Sequence, residues 1–147
     1  MTRINSAMIG KCLVDEHTLA EYREIKRMPS YYRKSIGKDV KIPPKFTLGT
    51  GHIKFFNNKQ GFLKKRYEYL YKECLNRGFN VTYYGNNWDD IDDDGDYTPT
   101  IEEWCLLKDR IKERLMDSPK MCWHYYGKPI SKEDAVKLLD SYDIYKG

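Results

Sequence analysis

Apolar positions recur at helical spacing in two long stretches, and nowhere do they alternate cleanly enough to predict a strand. From Lys59 to Arg77, Phe62, Leu63, Tyr67, Leu70 and Cys74 mark one buried side, with Gly78 just past the end. The second stretch opens on Thr100-Ile101-Glu102-Glu103, a capping box in which hydroxyl and carboxylate each satisfy a free backbone N–H. Trp104, Leu107, Ile111 and Leu115 then form a stripe, and Pro119 closes it. A third helix is expected over Asp15–Met28, with an acidic start, no Gly or Pro inside, and Pro29 as its stop. Its His17, Ala20, Glu24 and Arg27 share one stripe, which is polar and so is not a core face. A short fourth helix starts at Ser131, with Asp134 three residues on, and carries Val136, Leu138 and Leu139. The segment KDVKIPPKFTLGTGH reads as a loop. The pattern predicts a compact all-α domain: three main helices, long loops and a short C-terminal helix.

Charge divides the chain unevenly. Residues 1–79 hold 17 Lys/Arg against 7 Asp/Glu, whereas residues 80–103 hold 8 acids and no base. Within the 147 residues there are also 3 Trp, 13 Tyr and 5 Phe, rings that can fill a core or stack on bases. A basic half interleaved with aromatics points to nucleic acid, against the alternative of a merely solvated basic face. Cys12, Cys74, Cys105 and Cys122 lack the paired spacing of a zinc site, and reduced, mostly buried thiols are expected. With no long apolar run and no secretory leader, a soluble intracellular protein without membrane contact is expected. Asp90-Ile91-Asp92-Asp93-Asp94-Gly95 imitates the opening of a calcium loop, but its twelfth position is Ile101 and Pro99 interrupts it. A solvated acidic loop fits better, and no metal site is expected.

The start, MTRIN, raises a separate question. Methionine is normally removed before a residue as small as Thr2, leaving an α-amine with a pKa near 7.7–8.0 against about 10.4 for lysine. Roughly a tenth of that amine is neutral near pH 7, and a neutral amine can attack carbon and form a Schiff base. Arg3 would depress the amine further and could hold a phosphate. Read alone, these residues fit a frayed tail better.

The blocks MTRIN, DEHTLAEYREIKR, PPKFTLGTGHIKFF, FLKKRYEYLYKECLNRGFNV, DYTPT and YYGK, in that order, together resemble the bacteriophage endonuclease V family of pyrimidine-dimer DNA glycosylases. The resemblance spans about residues 1–130, so residues 131–147 stand as a helical extension. It implies an all-α enzyme, monomeric and free of cofactors, that acts on duplex DNA containing cyclobutane pyrimidine dimers or abasic sites. It also implies a coupled N-glycosylase and AP lyase: the N-terminal amine attacks the deoxyribose anomeric carbon, and the imine permits β-elimination. Carried over, Thr2 corresponds to the nucleophile and Glu24 to the essential carboxylate. Arg3, Arg23 and Arg27 correspond to phosphate-holding arginines, His17 to a site histidine, and Lys128 to a further DNA contact. Trp123, Tyr125 and Tyr126 fall in an aromatic segment tied to lesion recognition, although those rings could instead pack against the helix of Trp104. The other readings are a glycosylase for a different damaged base, or a binder of distorted DNA that does not cut.

The chain departs from the family pattern near that segment. Ser118 and His124 stand where an arginine and a lysine are expected, the tryptophan is shifted by one, and Lys120 and Lys128 are the available compensating cations.

Overall fold

The computed structural model describes residues 3–120 and 122–147. Six α-helices and one hairpin follow in chain order among these residues. They are α1 (Asp15–Ile25), α2 (Met28–Ser35), α3 (His52–Phe56), α4 (Gln60–Asn76), α5 (Ile101–Asp117), β1 (Trp123–Tyr125), β2 (Lys128–Ile130) and α6 (Lys132–Asp140). The expected helices over 59–77, after Thr100 and after Ser131 all form. Thr100 Oγ1 accepts from Glu103 N–H at 3.2 Å, and Ser131 Oγ accepts from Asp134 N–H at 3.1 Å.

Two expectations are corrected. The single helix over Asp15–Met28 ends at Ile25, and Pro29 opens the next helix instead of stopping this one. Proline has no N–H to lose in a first turn, so Met28-Pro29 is a favourable helix start. The all-α reading also misses the hairpin, in which β1 and β2 pair antiparallel with Trp123 opposite Ile130 and Tyr125 opposite Lys128. Three-residue strands are too short to show alternation. The signal was the turn, where Tyr126 (φ 51°) and Gly127 (φ 80°) both take the left-handed conformation. Tyr126 is costly there, and Asp15 holds it: the carboxylate accepts Tyr126 N–H at 3.0 Å and Gly127 N–H at 2.9 Å.

Apolar burial forms two adjoining clusters. One gathers Phe55 and Phe56 of α3, Phe62, Leu63, Tyr67, Leu70 and Cys74 of α4, and Tyr22 and Ile25 of α1. The other gathers Leu107, Ile111 and Leu115 of α5 with Ala135 and Leu139 of α6, Leu13, Val14 and Trp123. The N-terminal segment joins them: Ile4 belongs to the first, Ala7 and Met8 to the second. Residues 131–147 complete this core. Asp140 pairs with Lys108 and Lys112 of α5, Met8 forms a β-bridge with Ile144, and Tyr145 N–H donates to Ala7 O at 2.8 Å. Cys12 and Cys74 are buried, whereas Cys105 and Cys122 are exposed, so burial of the thiols is only half of what was expected.

The acidic segment lies along the basic half. Asp90 takes a two-pronged ion pair from Arg33, Asp92 accepts from Tyr32 OH, Asp93 accepts Gln60 N–H, and Asp96 pairs with Lys65. Backbone contact is close enough to demand glycine: a Cβ on Gly61 would lie 2.5 Å from Asp94 O. No three His, Cys, Asp or Glu side chains among the described residues converge as a metal site, and no described helix is long and apolar enough to cross a membrane.

The hairpin depends on a buried ionic cluster. Arg77 Nη1 reaches Asp15 at 2.9 Å and Arg77 Nε reaches Glu73 at 2.8 Å, while Tyr126 OH donates to Glu73 at 2.5 Å. Asp15→Ala strands Tyr126 N–H and Gly127 N–H and removes one carboxylate from a buried guanidinium. The expected loss is about 3 kcal/mol or more, measured by urea unfolding. A loss below about 1 kcal/mol would show that the cluster does not hold the hairpin.

Candidate active site

The chain from Arg3 to Met8 is threaded through the interior, and side chains of other elements satisfy its backbone. Arg3 N–H donates to Glu24 Oε2 at 2.6 Å. Ile4 N–H donates to His52 Nε2 at 2.8 Å, and Met8 O accepts Arg66 Nη1 at 2.6 Å. Ser6 Oγ donates to Glu103, which also accepts from Tyr97 OH. Burial pushes the Glu103 carboxyl up, against the pull of those two hydrogen bonds. Arg66 is itself fully buried and answered by Glu21 at 2.9 and 3.0 Å. The frayed-tail alternative therefore fails for residues 3–8. Thr2 lies outside the described residues.

His52 accepts at Nε2, so its proton is on Nδ1, which donates to Thr47 O at 2.9 Å. Burial holds its pKa below the usual histidine value, with the Thr47 bond opposing. The ring is thus a neutral fastener for the Ile4 amide.

Beside this segment, the polar stripe of α1 faces α5. Arg3, Asn5, His17, Ala20, Glu21, Glu24, Ile111 and Arg114 line a small pocket of about 40 Å³. Arg3 is 7% exposed and its Nη1 is buried with no partner among the described residues. Burial, then the like charges of Arg114 and Arg110, lower the Arg3 pKa to about 10, with Glu24 opposing. Burial, then Arg114, pushes His17 down to about 4, so the ring is neutral near pH 7. Arg23 and Arg27 are exposed and have no side-chain partner among the described residues.

The aromatic segment divides. Trp123 is buried with its ring 5.1 Å from His17, and both border a second, more open cleft of about 400 Å³ with Arg114, Asp117 and Ser118. Tyr125 OH donates instead to Lys11 O at 2.7 Å, and Tyr126 belongs to the Arg77–Glu73 cluster. Lys128 is exposed on β2. His124 is bound to Glu16 through Nδ1 at 2.8 Å and through its N–H at 3.0 Å. Lys120 lies 5.0 Å over the Trp123 ring.

Reading the sequence misses Arg110, Arg114 and Asn5. Arg110 and Arg114 each precede a buried position of α5, Ile111 and Leu115, so their place beside the core stripe was visible. Which element they would face was not, because that depends on α5 packing near α1. Asn5 carries no signal of its own.

A sequence model of the family described as pyrimidine dimer DNA glycosylase matches residues 1–84. That stretch contains Arg3, Asn5, His17, Arg23, Glu24 and Arg27, whereas Arg114 and Trp123 enter the two concavities from beyond it.

Both site histidines are held neutral, so stability is present above about pH 6.5 and is lost as pH falls toward the folded-state values, about 4 for His17. Each contributes a slope of at most about 1.4 kcal/mol per pH unit in that window. The melting temperature should fall by several degrees between pH 7 and pH 5, and His17→Asn should flatten the profile. An unchanged slope in that variant would mean His17 titrates normally.

Proposed function

The chain belongs to the pyrimidine dimer DNA glycosylase family, a DNA-repair activity, and on that premise we propose that it couples base removal to strand nicking through its N-terminal amine. The substrate is duplex DNA with cyclobutane pyrimidine dimers, or with abasic sites. The protein acts as a monomer without a cofactor. What supports the reading most is the 2.6 Å bond from Arg3 N–H to Glu24, which holds a carboxylate one residue from Thr2.

Once Met1 is removed, the neutral Thr2 amine attacks C1′ and the glycosidic bond breaks, its electron pair leaving with the base. The nitrogen then loses a proton. Its lone pair forms C1′=N as the C1′–O4′ bond opens, and O4′ takes up a proton. Glu24 stabilises the positive charge that develops at C1′ and relays these protons. Removal of a C2′ proton expels the 3′ phosphate and nicks the strand. The like charge of Arg3 keeps the amine pKa low, which raises the neutral fraction.

Phosphate contacts come from Arg3, Arg23 and Arg27, from Arg114 across the pocket, and from Lys128 on the hairpin. Trp123, its ring tilted against His17, meets the lesion. Tyr125 and Tyr126 act by holding the hairpin. A dimerised pair is already poorly stacked, so turning a nucleotide out of the duplex costs least there.

Incubation with ultraviolet-irradiated duplex and sodium borohydride should trap a covalent protein–DNA adduct. Extending the N-terminus should abolish it, and Glu24→Gln should reduce turnover by about 100-fold or more. Tight binding with neither adduct nor nicking would overturn the enzyme reading. Separately, Arg114→Ala should weaken binding across sequences and reduce the slope of log K against log salt by about 1. An unchanged slope would place Arg114 off the phosphate path.

A further inference from the structure

The geometry points to Asn5 as the acceptor for the O4′ hydroxyl that appears when the deoxyribose ring opens, an assignment that rests on the imine reading above. Asn5 is 5% exposed, and its Oδ1 is buried with no hydrogen-bond partner among the described residues. A buried amide oxygen left unpaired is destabilising, and a core offers cheaper residues, so an unpaired acceptor here awaits a donor. It lines the same pocket as Arg3 and Glu24, and its main chain is held in place by the bond from Met8 N–H to Asn5 O at 3.0 Å.

The chemistry of the strand narrows the donor. Phosphates, ester oxygens and the closed ring oxygen of an internal deoxynucleotide are all acceptors. Arg3 suits a phosphate, but Asn5 Oδ1 cannot. In a dimer-bearing strand donors occur only on base edges, or on O4′ after C1′–O4′ breaks, when the oxygen keeps the bonding pair and takes up a proton. An abasic sugar adds a C1′ hydroxyl, which leaves as water when the imine forms, so after that step O4′–H is the sugar's donor in both substrates. A hydrogen bond that exists only after ring opening stabilises the open iminium over the closed aminal and leaves ground-state binding untouched. Asn5 thereby favours the elimination branch.

The test uses the full-length processed protein on two duplexes, one bearing a single abasic site and one bearing a pyrimidine dimer. Single-turnover nicking, borohydride trapping and affinity for a tetrahydrofuran-site duplex are measured for Asn5→Ala, Asn5→Leu and Asn5→Asp. Expected for Ala and Leu is a roughly ten-fold slower nicking of the abasic duplex, with the trapped fraction reduced alike and affinity within two-fold of the parent. Asp keeps an acceptor and should stay within about three-fold. Leu replaces an unpaired polar group with an apolar one of similar shape, so it should melt no lower than the parent. Parent-like abasic nicking by Ala or Leu would overturn the proposal. So would a loss confined to the dimer duplex, which would assign Asn5 to a base edge, or a loss that tracks affinity. If the parent itself forms no adduct, the imine reading falls as well. A parent adduct with undiminished Asn5 variants removes only the role of Asn5.

Discussion

The non-helical segment from Arg3 to Met8 is buried, and apart from the turn that Met8 N–H closes on Asn5 O, Arg3 N–H, Ile4 N–H and Met8 O are satisfied by side chains of other elements. That constraint organises the rest of this molecule. Residues 3–8 lie between two apolar clusters, and their polar groups are met from α1 by Glu24, from α3 by His52, from α4 by Arg66 and from α5 by Glu103. The residues after α6 close the arrangement through Ile144 and Tyr145. Each of these bonds is modest in water-exchange terms, but leaving any one unmade strands a buried group at full desolvation cost. Position at the terminus is thus a property of four helices and the C-terminal tail, and Arg3 is held within a few ångströms of a carboxylate as a result.

Buried charge follows the same logic. Arg66 is fully enclosed, and two hydrogen bonds to Glu21 together with one to Met8 O occupy its guanidinium. Arg77 is likewise divided among Asp15, Glu73 and Gly10 O. Such pairs add little net stability over apolar residues of the same shape, but they are unforgiving of removal, and they fix which segments meet. Arg66 fixes the N-terminal segment against α4, and Arg77 fixes the hairpin against α1. The pocket arginines contrast with both. Arg114 has no ion-pair partner among the described residues, and its charge bears on Arg3 and His17 instead. Arg3 and Arg114 beside Glu24 leave positive charge in the pocket that an anionic polymer can answer. The acidic segment beyond residue 84 answers exposed cations elsewhere, such as Arg33 and Lys65, and so leaves the pocket as the basic focus.

The helices over 60–76 and 101–117 were legible because each carries its own apolar stripe and stop signals, and Thr100 and Ser131 announced their capping roles through local chemistry. The stripe of His17, Ala20 and Glu24 was legible for the same reason, since three- and four-residue spacing is enough to align side chains on a helix. The break at Lys26 and the hairpin at Tyr126 were not. A proline reads alike as a stop or a start, and a three-residue strand offers no period to detect.

By itself the sequence determined the helical register, the polar face of α1, the basic first half and, through the blocks from MTRIN to YYGK, the family. Local spacing and composition suffice for those, because helix periodicity and net charge need no partner to be defined. Only the tertiary structure decided that Arg114 shares a pocket with Arg3, that Trp123 meets His17 while Tyr125 and Tyr126 clamp the hairpin, and that Asn5, on the pocket lining, keeps a buried unpaired oxygen. These are contacts between residues up to about a hundred positions apart. Their outcome depends on how two apolar clusters pack around one buried segment, and no local pattern encodes that packing.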